Sequence, residues 1–207
     1  MNKRPLWGSL WLPSQETIQV CHALLQDRNF FRLLLRIDEE LAAEARAAGC
    51  PCGGVLHCAD YPRKPRACPN EFRAGFDSRF SFCCNRCRLR TTSMSVRFLG
   101  RRVYLALAVV LVSARHAGQT PAAARLSSTL EVPVRTLQRW RHWWRAQFSL
   151  TPLWRAACAR FMPPVAIDLF PASLLERFAG DAEEALMRLL IFLGPVTVKA
   201  IALHEER

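Results

Sequence analysis

The chain has 207 residues, is 51% hydrophobic and carries a formal net charge of +12. That apolar content excludes a disordered chain, and no run approaches the roughly 20 apolar residues of a membrane-spanning helix. Lys3 and Arg4 are followed by Pro5, Trp7, Gly8 and Pro13 rather than by an apolar stretch, so no secretory leader is expected, and the cytoplasm, with reduced cysteines, is the expected location.

The first segment, 1–48, reads as helical. Ile18, Cys21, Leu24 and Leu25, then Phe31, Leu34, Leu35 and Leu41, recur at helical spacing. The pattern predicts helix over 15–47, with Ser14 as the cap, Asn29 as a candidate break and Gly49 as the stop. Its expected role is packing.

The second segment, 49–100, changes character. Seven of the nine cysteines fall between Gly49 and Thr92, among Gly53, Gly54, Gly75, Pro51, Pro62, Pro65 and Pro69. Long helix is excluded there. Two short strands are expected, at Val55–Ala59 and at Arg79–Cys83, where Phe80 and Phe82 alternate with polar residues. Cys50 and Cys52 precede a Gly-Gly pair, and Cys84 and Cys87 form a Cys-x-x-Cys turn. Two such turns about thirty residues apart can supply the four thiolates of one structural Zn2+ ion. The glycines are expected to let backbone amides turn toward sulfur. With so few aliphatic residues, the segment would gain folding free energy from the metal, on the order of 10 kcal/mol. Cys83 competes with Cys84 for the site, and Cys58, Cys68 and His57 are further candidates, with His57 the more natural surface residue. Cys21 and Cys158 lie on helical faces and are expected in the core. The extended stretch Tyr61-Pro-Arg-Lys-Pro-Arg66 offers Arg63, Lys64 and Arg66 to a phosphate backbone, or serves as a solvated loop.

The third segment, 101–150, predicts helices at 102–115, 121–130 and 133–148. The ten apolar residues Val103–Val112 read as a buried core helix. Val134, Leu137, Trp140, Trp144 and Phe148 form one stripe of the last helix, and Arg135, Gln138, Arg139, His142 and Arg145 form the opposite face. The layout is that of a trihelical helix-turn-helix, whose last helix enters the major groove of double-stranded DNA. Arg135, Gln138 and Arg139 stand early enough to read base edges, while Arg141, His142 and Arg145 suit phosphate. The ordinary alternative is an amphipathic helix with a solvated face. The final segment, 151–207, is helical and broken by Pro163, Pro164 and Pro171, with a helix at about 172–178 and another from Asp181 to Gly194.

Charge follows this division. Residues 1–49 carry six basic and six acidic groups, 50–100 nine and three, 101–160 ten against Glu131 alone, and 161–207 four and seven. The expected fold is therefore mainly α with a small β zinc ribbon. N-terminal helices come first, then the ribbon, a trihelical unit and C-terminal helices.

Cys50-Pro-Cys-Gly-Gly54, Phe82-Cys-Cys-Asn-Arg-Cys-Arg-Leu-Arg-Thr-Thr92, the apolar helix after Phe98-Leu-Gly100 and Arg135-Thr-Leu-Gln-Arg-Trp140 together resemble the N-terminal region of zinc-ribbon transposases of bacterial insertion sequences. The resemblance covers about residues 50–148. It implies binding of transposon-end DNA by the ribbon and helices. Those enzymes continue into an RNase H-like domain with a metal-binding acidic triad. The 59 residues after Phe148 (207 − 148) read instead as helical, and Asp168, Glu176, Asp181, Glu183 and Glu184 sit on helix starts or faces. Two-metal chemistry needs carboxylates that converge. The expectation is a nucleoid-associated, non-enzymatic DNA-recognition protein, a transposon-associated accessory or regulator, acting as a homodimer or with a transposase. The competing readings are a protein-interaction module anchored on Trp140, Trp143 and Trp144, and a reduced transposase.

Overall fold

In a computed structural model, the residues described are 23–99, 105–115, 127–128 and 130–198. They are mostly helical, with two small antiparallel sheets. Helix α1 spans Arg28–Ala47. It starts where the Asp27 carboxylate accepts the amides of Asn29 and Phe30, satisfying donors that an open helix end leaves bare. The break expected at Asn29 thus falls two residues earlier, because Asp27 makes the cap. Ser14 and Cys21 lie outside the described residues. The helix runs out at Ala48 and Gly49, whose amides bond back to Glu44 and Arg46. Its inner face carries Phe30, Phe31, Leu34, Asp38 and Ala42.

The cysteine-rich segment forms two small sheets. Strands β1 (Leu56–Cys58), β4 (Ser81–Cys84) and β5 (Arg90–Thr92) make an antiparallel sheet in the order β1-β4-β5. Strands β2 (Tyr61–Pro62) and β3 (Ser78–Arg79) make a two-stranded sheet. The single strand expected at Arg79–Cys83 is therefore two strands, because the chain changes partner at Phe80. Registers Leu56↔Cys84 and Cys58↔Phe82 put Leu56, Phe82 and Cys84 on one face, where they pack with Ala42 and Ala45 of α1. The other face carries His57, Cys83 and Arg90. Between β2 and β3 a 3₁₀ helix at Asn70–Gly75 brings Phe72 against Phe31, rings stacked 4.1 Å apart.

Helix α2 (Ala106–Arg115) is the centre of the helical part. Residues Leu105 to Ser113 are all buried, as expected of a helix apolar on every side. It packs on α3 (Val134–His142), α5 (Ala172–Leu175) and α6 (Ala182–Phe192). The helix expected at 121–130 lies outside the described residues apart from Ser127, Ser128 and Leu130. Helix α3 continues through a π turn at Trp143–Gln147 and a 3₁₀ turn at Phe148–Leu150. Four residues of α-helix overshoot a full turn by about 40°, so a run of i+4 steps drifts around the axis. The wider π turn offsets that drift and keeps Trp140, Trp144 and Phe148 all buried. Trp144 and Phe148 then share an aromatic nest with Phe170 and with Trp154 of α4 (Pro152–Ala157). Val134, expected in the buried stripe, is 40% exposed because it opens the helix, before the stripe turns inward. Cys158, expected in the core, is exposed. It belongs to the 3₁₀ turn after α4, whose inward residues are Trp154 and Ala157. Helix α6 starts at Asp181, which caps the Glu184 amide.

A buried polar knot joins these parts. The Asp38 carboxylate accepts from Ser95 Oγ at 2.6 Å, Val96 N at 2.7 Å and Arg97 Nε at 2.7 Å. Arg97 also donates to the carbonyls of Gly75 and Ser78, and its guanidinium lies over the rings of Phe76, Phe80 and Phe98. Arg79 donates to the Ser93 and Thr197 carbonyls, and Thr197 Oγ1 accepts the Ser95 amide. The Arg97 carbonyl accepts the amide of Ala106, at the start of α2.

Candidate metal centre and basic helix face

Four sulfurs converge at one end of the main sheet. Cys50 lies 3.4 Å from Cys87 and from Cys52, Cys52 lies 3.4 Å from Cys84, and all four ligand atoms fall within 4.8 Å of one another. A tetrahedral ion about 2.3 Å from each sulfur spaces its ligands about 3.8 Å apart, so the four can hold one metal ion. Strand parity separates the adjacent pair Cys83 and Cys84. Cys84 faces inward with Phe82 and joins the group, while the Cys83 thiol turns to the carbonyls of Cys84 and Arg88. Among the described residues this is the one group of three or more such ligands. Cys58 and His57 are exposed, and Cys68 is buried in the main core.

The two cysteine turns are built differently. The shorter Cys50-Pro-Cys52 turn closes through the Gly53 amide on the Cys50 carbonyl, 2.8 Å away, with Gly53 at φ +74°. Gly54 passes so close to the centre that a Cβ there would sit 2.5 Å from Cys84 Sγ. The glycines thus give the turn and the clearance. Amides aimed at sulfur are those of Arg86 and Cys87, 3.4 and 3.5 Å from Cys84 Sγ, and that of Cys52 toward Cys50. Asn85 latches the turns together, its amide donating to the Val55 carbonyl and its side chain accepting the Val55 amide.

These contacts divide the thiols electrostatically. The amide of Cys87, with that of Arg86 and the neighbouring thiols, lowers Cys84 to about 6 against the opposing effect of burial. The Cys52 amide acts to lower Cys50, but sulfur neighbours and burial override it and push Cys50 up to about 12. Four thiolates cannot share this space without a cation. A metal ion removes the conflict by displacing the protons.

The basic helix presents its charges outward. Arg135, Gln138, Arg139, His142 and Arg145 are exposed, whereas Thr136, Leu137, Trp140 and Trp144 are buried. Arg139 is steadied by a 2.9 Å bond to Thr136 Oγ1. Arg141 is half-buried, and burial followed by the charge of Arg145 lowers its pKa. Among the described residues, no α3 arginine is in an ion pair. Of the Tyr61–Arg66 stretch, Lys64 and Arg66 are exposed, and Arg63 lies over the Tyr61 ring at 5.2 Å. The backbone of this stretch is not free, since Tyr61 and Pro62 pair with β3 and the Arg66 carbonyl accepts the Leu105 amide.

The sequence pattern had left three things unread. Asp38 sits one turn after Leu34 and one before Ala42, and an acid on an apolar stripe is itself a signal. Its partner Arg97 lies 59 residues on. Arg86, Arg88 and Arg90 form an exposed basic row beside the metal centre. No protein-family model, curated protein or solved structure matches the chain.

Proposed function

We propose that the chain is a DNA-recognition protein that binds duplex DNA through α3 and holds one structural zinc ion in a ribbon. The observation that carries this reading is the outer face of α3. Arg135, Gln138, Arg139, His142 and Arg145 are exposed, and no acid occurs between Glu131 and Asp168. Glu131 itself is engaged by Arg73 at 3.1 Å. A face of one sign attracts phosphate, and Arg and Gln at its start can pair bidentately with guanine and adenine. Zinc is the natural ion for four thiolates in tetrahedral array. A role as an accessory or regulator of a mobile element, as a homodimer or beside a transposase, fits recognition without catalysis. A protein interface anchored on tryptophans is less well supported, since Trp140 and Trp144 are buried at 1% and 0% exposure within the chain's own core.

The test is titration of fluorescent duplex DNA across a salt series. The parent should bind with log Kd rising steeply with log salt. Arg135→Ala with Arg139→Ala should weaken binding at least about tenfold, as the loss of two bidentate contacts implies. Binding that does not change with salt or with these substitutions overturns the proposal.

A further inference from the structure

Arg88 stands where a glycine would be easier to place. The two cysteine turns are counterparts, and each has a left-handed residue directly after its second cysteine. After Cys52 it is Gly53, at φ +74°, with its amide on the Cys50 carbonyl. After Cys87 it is Arg88, at φ +60°, with its amide on the Cys84 carbonyl. Glycine enters this region without penalty, whereas a side chain with a Cβ is disfavoured. One turn uses the residue that suits its backbone, and the other keeps a long cation in spite of it.

The neighbours of Arg88 are arranged as if for the same ligand. Arg86, Arg88, Leu89 and Arg90 are all exposed, and Leu89 is 68% so. Arg86 is anchored by a bond from Nη1 to the Cys52 carbonyl at 3.1 Å. Arg90 is anchored by the Ala59 carbonyl at 2.8 Å and by the Tyr61 ring, 4.5 Å below its guanidinium. Arg63 lies over the same ring. Among the described residues none of these arginines is in an ion pair, and no acid occurs in the sequence between Asp77 and Glu131. Among the described residues, strand β5 is a sheet edge, with no strand beyond it to cover the row.

We propose that the Cys84–Cys87 turn and β5 form a second nucleic-acid contact, in which Arg88, flanked by Arg86 and Arg90, grips the phosphates of duplex DNA. This rests on the DNA-binding reading above and adds a surface to it, separate from α3. The contact is to phosphate, so it is independent of base sequence. The anchored guanidiniums of Arg86 and Arg90 lose little freedom on binding, and guanidinium suits phosphate better than ammonium does.

The decisive variant is Arg88→Gly in the full-length, zinc-loaded chain, because glycine fits the backbone already there. Arg88→Asn, which also tolerates a left-handed conformation, is the second. Both are titrated with duplex DNA of arbitrary sequence over a range of potassium chloride, beside Arg135→Ala/Arg139→Ala. Thermal midpoint and zinc retention against a chelator are read in parallel. The expected result for each Arg88 variant is an unchanged or raised midpoint, unchanged zinc retention and several-fold weaker DNA binding. The slope of log Kd against log salt should be smaller by about 0.9, the value of one lost phosphate contact. DNA binding and slope equal to the parent's overturn the proposal while leaving α3 as the DNA surface. Zinc loss from both variants also overturns it, since Arg88 would then serve to balance thiolate charge. A parent chain that binds no duplex DNA overturns this proposal and the DNA-binding reading together.

Discussion

Cys83 and Cys84 are covalent neighbours with opposite fates, and the difference is one of parity. On a strand, adjacent side chains face opposite ways, so one sulfur reaches the metal centre and the other meets backbone carbonyls. Cys84→Ser should therefore abolish stoichiometric metal binding, while Cys83→Ser should retain one ion per chain, measured by elemental analysis of the purified variants. The parity was open to a reader of the sequence. Phe80, Phe82 and Cys84 share an alternation, and apolar residues mark its inner face. Choosing Cys50, Cys52 and Cys87 needed only close spacing in glycine-rich turns. Choosing between Cys83 and Cys84 also needed the strand's inner side to be named. The roles of the glycines were harder to read, because the clearance at Gly54 depends on a sulfur thirty residues away in sequence.

At the scale of elements, the helices marked by their own apolar pattern were legible and the long-range knot was not. The stripe Leu137, Trp140, Trp144 and Phe148 defines its own buried face, and the apolar run Val103–Val112 reads as a buried helix, whose described part, 105–112, is buried. Asp38 is different. Its burial makes sense only with Arg97 and the Ser95 hydroxyl in place, and periodicity carries no information about a partner on another segment. The pair is buried at 2% and 1% side-chain exposure. Removing one member strands the other away from water, at a cost of about 3–5 kcal/mol. Asp38→Ala should lower the unfolding free energy by that amount in a urea titration. A loss of only a few tenths of a kcal/mol would mean that Arg97 finds other partners.

At the scale of the molecule, the buried apolar residues among those described form two clusters of unequal size. The larger joins α1, the 3₁₀ helix at Asn70–Gly75, α2, α3 and α6. The smaller contains Ala42, Leu56, Phe82 and Cys84, with Cys50, Cys52 and Cys87 packed on it. A cluster of four buried residues would lean on a metal ion held by those cysteines, whereas the larger one would not. Chelation should therefore remove hydrogen-exchange protection from the amides of β1, β4 and β5 and leave α2 and α6 protected. Loss of protection in all of these together would show that the two clusters fold as one unit.

The Asp38 knot also sets distances. Through Ser95, Val96 and Arg97 it ties α1 to the segment leaving β5, and through the Arg97 carbonyl to the first turn of α2, against which α3 packs. Hydrogen bonds and packing among the described residues thus connect the cysteine turns to the basic helix. On the DNA-binding reading, the chain then behaves as a pair of calipers locked at one opening. The separation between the two gripping points is then set by that packing, and the curvature and groove spacing of the duplex would have to match it.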